Sequence, residues 1–349
     1  MLALLALAAA WGRDLPVIAV VVIGAVLAVA VIAAVHHAEV VAHRVGEPYG
    51  SIVLAVAVTV IEVGLIVALM ISGGEEANAL ARDTVFAAVM ITCNGIVGLA
   101  LLVGAVKYGL THFNAEGAGS ALATVATLAA TCLVLPAYTT SADGPVFSTA
   151  QLVFAAVASL ALYGLFVATQ AGKHRDFFLP VTSQGDILEE DEHADPPSAR
   201  AAWTSLGLLV ASLVAVVGLA KVVSPSVESA VADAGLPNAF VGVIIALLIL
   251  APETLAATRA ALRDRMQTSL NLAFGSAMAS IGLTIPAIAV ASRWIEGDLV
   301  LGLGDTQITL LVLTMFVSAL TVIPGRATRL QGGVHLVLLA AFVFLAMNP

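Results

Sequence analysis

Residues 50–71 read GSIVLAVAVTVIEVGLIVALMI, and residues 237–258 read PNAFVGVIIALLILAPETLAAT. Each stretch is long enough to cross a bilayer core, which takes about 20 apolar residues in a helix. Each carries one ionisable side chain, Glu62 in the first and Glu253 in the second. A carboxylate near the middle of a membrane helix costs about 2.5–3.5 kcal/mol on insertion scales. A chain that bears this cost twice, once in each half, has a use for both groups. Carboxylates are hard oxygen ligands and reversible proton acceptors, so the pair points to cation movement coupled to protons.

The rest of the 349 residues extends this pattern. The chain is 60% hydrophobic and 11% charged, where a soluble domain carries about 25% charged residues. Eleven apolar segments are predicted at 1–12, 15–35, 50–71, 84–106, 119–139, 149–170, 203–223, 237–258, 269–292, 306–323 and 332–347. The expected fold class is an all-α polytopic membrane protein with about 11 transmembrane helices. Helices satisfy their own backbone groups in lipid, and the alternating strands of a barrel are absent from the sequence pattern. Net charge is −9, but much of it sits in one loop and identifies no partner. Nothing suggests nucleic-acid binding; the bilayer is the expected environment. Cys93 and Cys132 fall inside apolar spans and read as small core residues. Met1–Trp11 reads either as a signal-like segment or as a first helix that begins upstream. The lack of a small-residue cleavage site followed by a soluble domain favours the helix.

Between the sixth and seventh segments lies the long polar stretch Gly172–Ala201, which contains the acidic run Asp186–Asp195 and then Pro196-Pro197. It reads as a solvated linker. The expected organisation is a first transmembrane helix over 1–14, a five-helix repeat over 15–171, the linker over 172–201, and a second five-helix repeat over 202–349. Lys and Arg orient the chain. The loops after even-numbered segments hold Arg44, Lys107, Lys173, Arg175, Arg200, Arg259, Arg263, Arg265, Arg326 and Arg329; the others hold Arg13, Arg82, Lys221 and Arg293. The bias places the even loops, the linker and the N-terminus in the cytoplasm. Five spans cross an odd number of times, so the second set enters from the opposite side to the first. That is the arithmetic of an inverted repeat, with a site near the midplane. Glu62 and Glu253 each fall in the second span of their set.

Residues near the glutamates supply further oxygens. Pro252 has no N–H, so the carbonyl of Leu248, one turn back, loses its helical donor. Thr59 and Thr254 add hydroxyls. Asn94 in the fourth span and Ser276 in the ninth sit at membrane depth, either as ligands or as groups that hold the glutamates. Small and hydroxyl residues there, including Asn271, Gly275, Ser280 and Thr284, serve helix packing equally well. Ca²⁺ takes six to eight oxygens at about 2.3–2.6 Å, a number that two carboxylates, carbonyls, hydroxyls and water can meet.

Several motifs carry a resemblance. They are Val35-His36-His37-Ala38-Glu39, the run His43 to Ser51, Ile61-Glu62-Val63, Asp83-Thr84-Val85-Phe86, Cys93-Asn94-Gly95-Ile96-Val97-Gly98, the run Ala246 to Glu253, and Asn271-Leu272-Ala273-Phe274-Gly275-Ser276. Together they resemble the ChaA-type calcium/proton antiporters, in the cation/proton exchanger branch of the calcium/cation antiporter superfamily, over nearly the whole chain. The resemblance implies eleven spans, two alpha-repeat regions and a transport glutamate in each, mapping onto Glu62 and Glu253. Many vacuolar-type relatives carry a Gly-Asn-Ala-x-Glu motif. Here Glu62 follows Val58-Thr59-Val60-Ile61 and Glu253 follows Ile249-Leu250-Ala251-Pro252, which leaves the remaining ligands and the ion selectivity open.

The expected function is therefore a secondary transporter of the bacterial inner membrane that exchanges cytoplasmic Ca²⁺ for H⁺, with no cofactor and no enzymatic activity. Glu62 and Glu253 bind the cation or protons in competition. A monovalent Na⁺/H⁺ or K⁺/H⁺ antiporter on the same scaffold is the alternative, with a cation channel further behind. Gly-x-Ser-x-Gly and His-Glu-x-x-His motifs are absent, which argues against an intramembrane enzyme. His36, Glu39 and His43 lie on one helical face, either as a metal- or pH-sensing group or as a hydrated helix end. Glu189, Glu190, Asp191 and Glu192 are either a weak regulatory Ca²⁺ site or plain linker, and they lack the spacing of an EF-hand. Sequence gives no oligomeric state.

Overall fold

The computed structural model describes residues 2–13, 15–46, 49–73, 78–182, 197–294 and 297–349. The acidic run with Glu189, Glu190, Asp191 and Glu192 lies outside the described residues, as do Glu47 and Pro48 of the quoted motifs. The chain is helical almost throughout. In order it forms α1 (Leu2–Ala10), α2 (Val17–Val45), α3 (Tyr49–Gly73), α4 (Leu80–Met90), α5 (Val97–Tyr108), α6 (Ala115–Ala129), α7 (Thr149–Ala171), α8 (Ala199–Asp233), α9 (Ala239–Ala261), α10 (Met266–Gly282), α11 (Thr284–Ala291), α12 (Asp305–Val322) and α13 (Arg329–Met347). A π-helical turn, Ile91–Ile96, joins α4 to α5 into one span, and α10 and α11 form another. Among the described residues, ten such runs are long and apolar enough to cross a membrane. The first apolar segment becomes α1, whose nine residues reach only about 13 Å at 1.5 Å per residue.

Helix ends follow side-chain chemistry. Asn114 caps α6, its Oδ1 accepting from the backbone N–H of Glu116 at 2.9 Å and of Gly117 at 3.2 Å. Gln151 reaches back to the backbone N–H of Ser148 at the start of α7, and Gln331 does the same for Thr328 at the start of α13. These bonds satisfy donors that a helix start leaves free. Between α10 and α11 the break has a clear cause. Pro286 has no N–H for the carbonyl of Gly282, so the helix stops there and restarts at Thr284.

The two sets of five spans interlock. α2 packs along α8, α3 against α8 and α11, and α9 against α4 and α10. Two short backbone pairings tie the sets at opposite ends of the bundle. The α5–α6 connection pairs with the α12–α13 connection, Thr111 opposite Ala327 and His112 opposite Arg326. At the other end, Val146 of the α6–α7 connection pairs with Val300 of the α11–α12 connection. Exchanging the sets exchanges the two pairings. Two apolar cores result. One gathers Leu27, Val31, Ile61, Leu65 and Leu219 around α2, α3 and α8. The other gathers Phe86, Met90, Leu128, Phe274 and Met278 around α4, α6 and α10. Ile61 belongs to the first and Ile281 to the second, so the neighbouring Glu62 and Ser280 sit on the seam.

Candidate cation site

Glu62 is 2% exposed. Its Oε2 accepts two hydrogen bonds from the other set of helices, from Ser280 Oγ and from Thr284 Oγ1, each at 3.0 Å. Both donors are themselves buried. Ser280 is near the end of α10 and Thr284 opens α11, so the break between those helices delivers both hydroxyls to one carboxylate oxygen. Glu62 Oε1 is buried and has no hydrogen-bond partner. Thr59 Oγ1, one turn earlier on the same face of α3, is also buried and unpartnered, and so is Glu253 Oε2 on α9. The helices that carry the two glutamates, α3 and α9, pack against each other. Buried polar atoms are nearly always partnered. Orphaned oxygens on two neighbouring helices are what a desolvated cation or proton would occupy.

A cavity of about 230 Å³ reaches this region from one side. Leu54, Val58, Gln170, Glu253, Thr268 and Ser276 are among its lining. Gln170 is one residue from the end of α7 and Thr268 is in the first turn of α10, so the mouth faces the linker side. On the opposite side, hollows of about 500 and 330 Å³ border Arg82 and Asp83, and neither is lined by Glu62 or Glu253. There α9 crosses α4 at Gly242, where a Cβ would lie 2.9 Å from the carbonyl carbon of Asp83 and the nitrogen of Thr84. Arg82 Nε bonds Asp83 Oδ1 at 2.8 Å and Arg82 Nη1 bonds the Gly302 carbonyl at 3.2 Å. Among the described residues, the cavity that Glu253 lines opens toward the linker, and the two far-side hollows are separate from it.

The family model for the sodium/calcium exchanger protein matches residues 15–172 and 204–348. The chain belongs to the sodium/calcium exchanger family. It is 44% identical over 324 residues to the ionic transporter y4hA of Sinorhizobium fredii, covering 92% of this chain and 86% of that protein. It is 35% identical over 338 residues to the sodium-potassium/proton antiporter ChaA of Escherichia coli, covering 95% and 91%. The solved H⁺/Ca²⁺ exchanger CAX superposes with a TM-score of 0.66 at 13% identity, covering 99% of this chain and 89% of that one. At that identity the likeness speaks for the fold. Family membership makes this protein a cation exchanger of the membrane and a secondary transporter, not an enzyme.

Within this exchanger, the other expected site residues divide. Ser276 lines the cavity beside Glu253. Thr254 Oγ1 donates to the Leu250 carbonyl at 2.7 Å, which leaves its lone pairs free. Pro252 sits inside α9 and gives the Leu248 carbonyl no donor. Asn94 is elsewhere. Its Nδ2 donates to Thr314 Oγ1 at 2.9 Å and its Oδ1 lies 3.2 Å from His335 Nδ1. His335 Nε2 is 3.1 Å from Thr321 Oγ1. That fully buried cluster joins the π-helical turn to α12 and α13 and engages both ends of the Asn94 carboxamide. His36, Glu39 and His43 line the exposed side of α2, and among the described residues no three His, Cys, Asp or Glu side chains come together as a metal site. Sequence reading passed over Ser280 and Thr284 as partners of Glu62. The available signal was Pro286, which breaks the helix beside two hydroxyls at membrane depth.

Proposed function

We propose that the protein exchanges Ca²⁺ for H⁺ by alternating access, with Glu62 and Glu253 binding the cation or protons in competition. The observation that carries this reading is the pair of carboxylates, one from each set of helices, each with a buried oxygen left without a partner. Bare charges in a low-dielectric site repel and resist transfer across the bilayer. A divalent cation relieves the repulsion, and so do protons. The loaded forms are then cation or protons, and the empty form is the one that does not switch. Thr59, Thr254, the Leu248 carbonyl and Ser276 complete the oxygen set together with water. The exchange of the two end pairings between the sets supports an inverted repeat, in which the far side opens when the linker side shuts. With the linker in the cytoplasm, as the Lys and Arg bias implies, the cavity is inward-facing and an inward proton gradient drives Ca²⁺ out across the bacterial inner membrane.

Na⁺/H⁺ or K⁺/H⁺ exchange is the second reading, favoured by the sodium-potassium/proton antiporter of E. coli at 35% identity. Both are tested in proteoliposomes loaded with a pH indicator and given Ca²⁺, Na⁺ or K⁺. Proton release driven by Ca²⁺ supports the first reading, and release driven by Na⁺ or K⁺ alone supports the second. A current that needs no protons rejects both.

A further inference from the structure

We propose that Ser280 and Thr284 are positioning residues for the exchange, clamping one oxygen of Glu62 so that only the other faces the cation. The proposal rests on the reading of Glu62 as a ligand. Both hydroxyls come from the opposite set of helices and meet the same atom, Oε2, at 3.0 Å. Two donors fill that oxygen's favourable lone-pair directions. A cation reaches Oε2 only by displacing a hydroxyl, so Oε1, which has no partner, is the oxygen presented. Glu62 thus binds through one oxygen.

The hydroxyls give up something for this. A Ser or Thr within a helix usually donates to the carbonyl one turn back. Thr92, Thr127, Thr169 and Thr258 all do so here. A hydroxyl has a single hydrogen, and Ser280 and Thr284 send theirs to Glu62. Glu253 shows a different arrangement, since it borders the open cavity and its Oε2 is unpartnered. The two glutamates therefore have different tasks. Glu62 is a fixed ligand, and Glu253 meets the cation from the cavity. The clamp also spans the α10–α11 break, tying the orientation of Glu62 to the angle between those helices.

The test uses the full-length protein in proteoliposomes, with Ca²⁺, Na⁺ and K⁺ as probes, and compares Ser280→Ala, Thr284→Val, their combination and Thr284→Ser. Losing two hydrogen bonds to a charged group should raise the half-saturating cation concentration about tenfold or more, while the maximal rate stays within about threefold. Thr284→Ser keeps the hydroxyl and should behave as wild type. Wild-type half-saturation in the double variant overturns the clamp. So does a Thr284→Ser variant as impaired as Thr284→Val, because the methyl group would then be the part that matters; this pair decides even if the double variant does not fold. Infrared difference spectra against Glu62→Gln read the carboxylate without transport. The Glu62 band should shift when the hydroxyls are removed, and an unmoved band overturns the clamp. A wild-type protein inert to all three cations would instead reject the proposed function.

Discussion

Replacing Glu62 by Gln exchanges one oxygen for an NH₂ group at almost no change in volume, so its outcome can be worked out from the structure. Ser280 and Thr284 both donate toward Oε2 at 3.0 Å. An amide nitrogen cannot accept, so the Gln side chain should place its oxygen against the hydroxyls. Its NH₂ group then takes the position of Oε1 and turns a donor toward the cation. Removing one partner of a buried charged pair costs about 2–5 kcal/mol, which is about a 30- to 5,000-fold loss of cation affinity. Folding should not suffer. The substitution keeps the shape, keeps both hydroxyls bonded and removes a buried charge that costs about 2.5–3.5 kcal/mol to insert. Cation-driven proton movement in proteoliposomes should fall to the level of empty vesicles, with a thermal midpoint in detergent equal to or above wild type. Flux within about threefold of wild type would refute the assignment of Glu62. Loss of flux together with loss of folding would refute the argument that the side chain is there for transport.

Three more outcomes are expected. Pro252→Ala restores a donor to the Leu248 carbonyl; the thermal midpoint should rise and cation affinity should fall several-fold, as measured by melting and by exchange kinetics. Gly242→Ala pushes a methyl group to 2.9 Å from the Asp83 and Thr84 backbone; about 1–3 kcal/mol of overpacking should part α4 from α9, lower the midpoint and let a thiol reagent added from the far side reach a cysteine placed at Ser276. His335→Ala removes one partner each from Asn94 Oδ1 and Thr321 Oγ1, so stability should drop by about 1–3 kcal/mol while half-saturation by the cation stays close to wild type, because Asn94 keeps its bond to Thr314 and neither glutamate bonds the cluster.

Much of the fold was legible because each crossing leaves its own apolar run. The runs fixed which helices exist better than where they end. α2 was expected to stop near residue 35 and continues to Val45, because Ala38 and Val41 keep one buried face while His36, Glu39 and His43 turn to the exposed side. α8 likewise outlasts its apolar run, passing Lys221 and Pro225 to reach Asp233. Lys221 lies over the ring of Trp11, 5.4 Å from its centre, so that charge found a partner where hydropathy saw only a boundary. Glu62 and Glu253 stood out because a buried carboxylate is costly. Their partners did not, since Ser and Thr are ordinary packing residues in membrane helices and Pro286 marks the break without telling which carboxylate the two hydroxyls meet. Asn94 drew attention for the same polarity that His335 and Thr314 satisfy, and His335 is 241 residues away in sequence.

The central claim is that carboxylates from both sets of helices form one site shared by cation and protons. Calorimetric titration of the purified protein with Ca²⁺ in buffers of different ionisation enthalpy measures bound cation and released protons together. The account predicts a single saturable event with proton release, abolished by Glu62→Gln alone and by Glu253→Gln alone. Two separable events, each removed by a different substitution, or cation binding with no protons released, would contradict it.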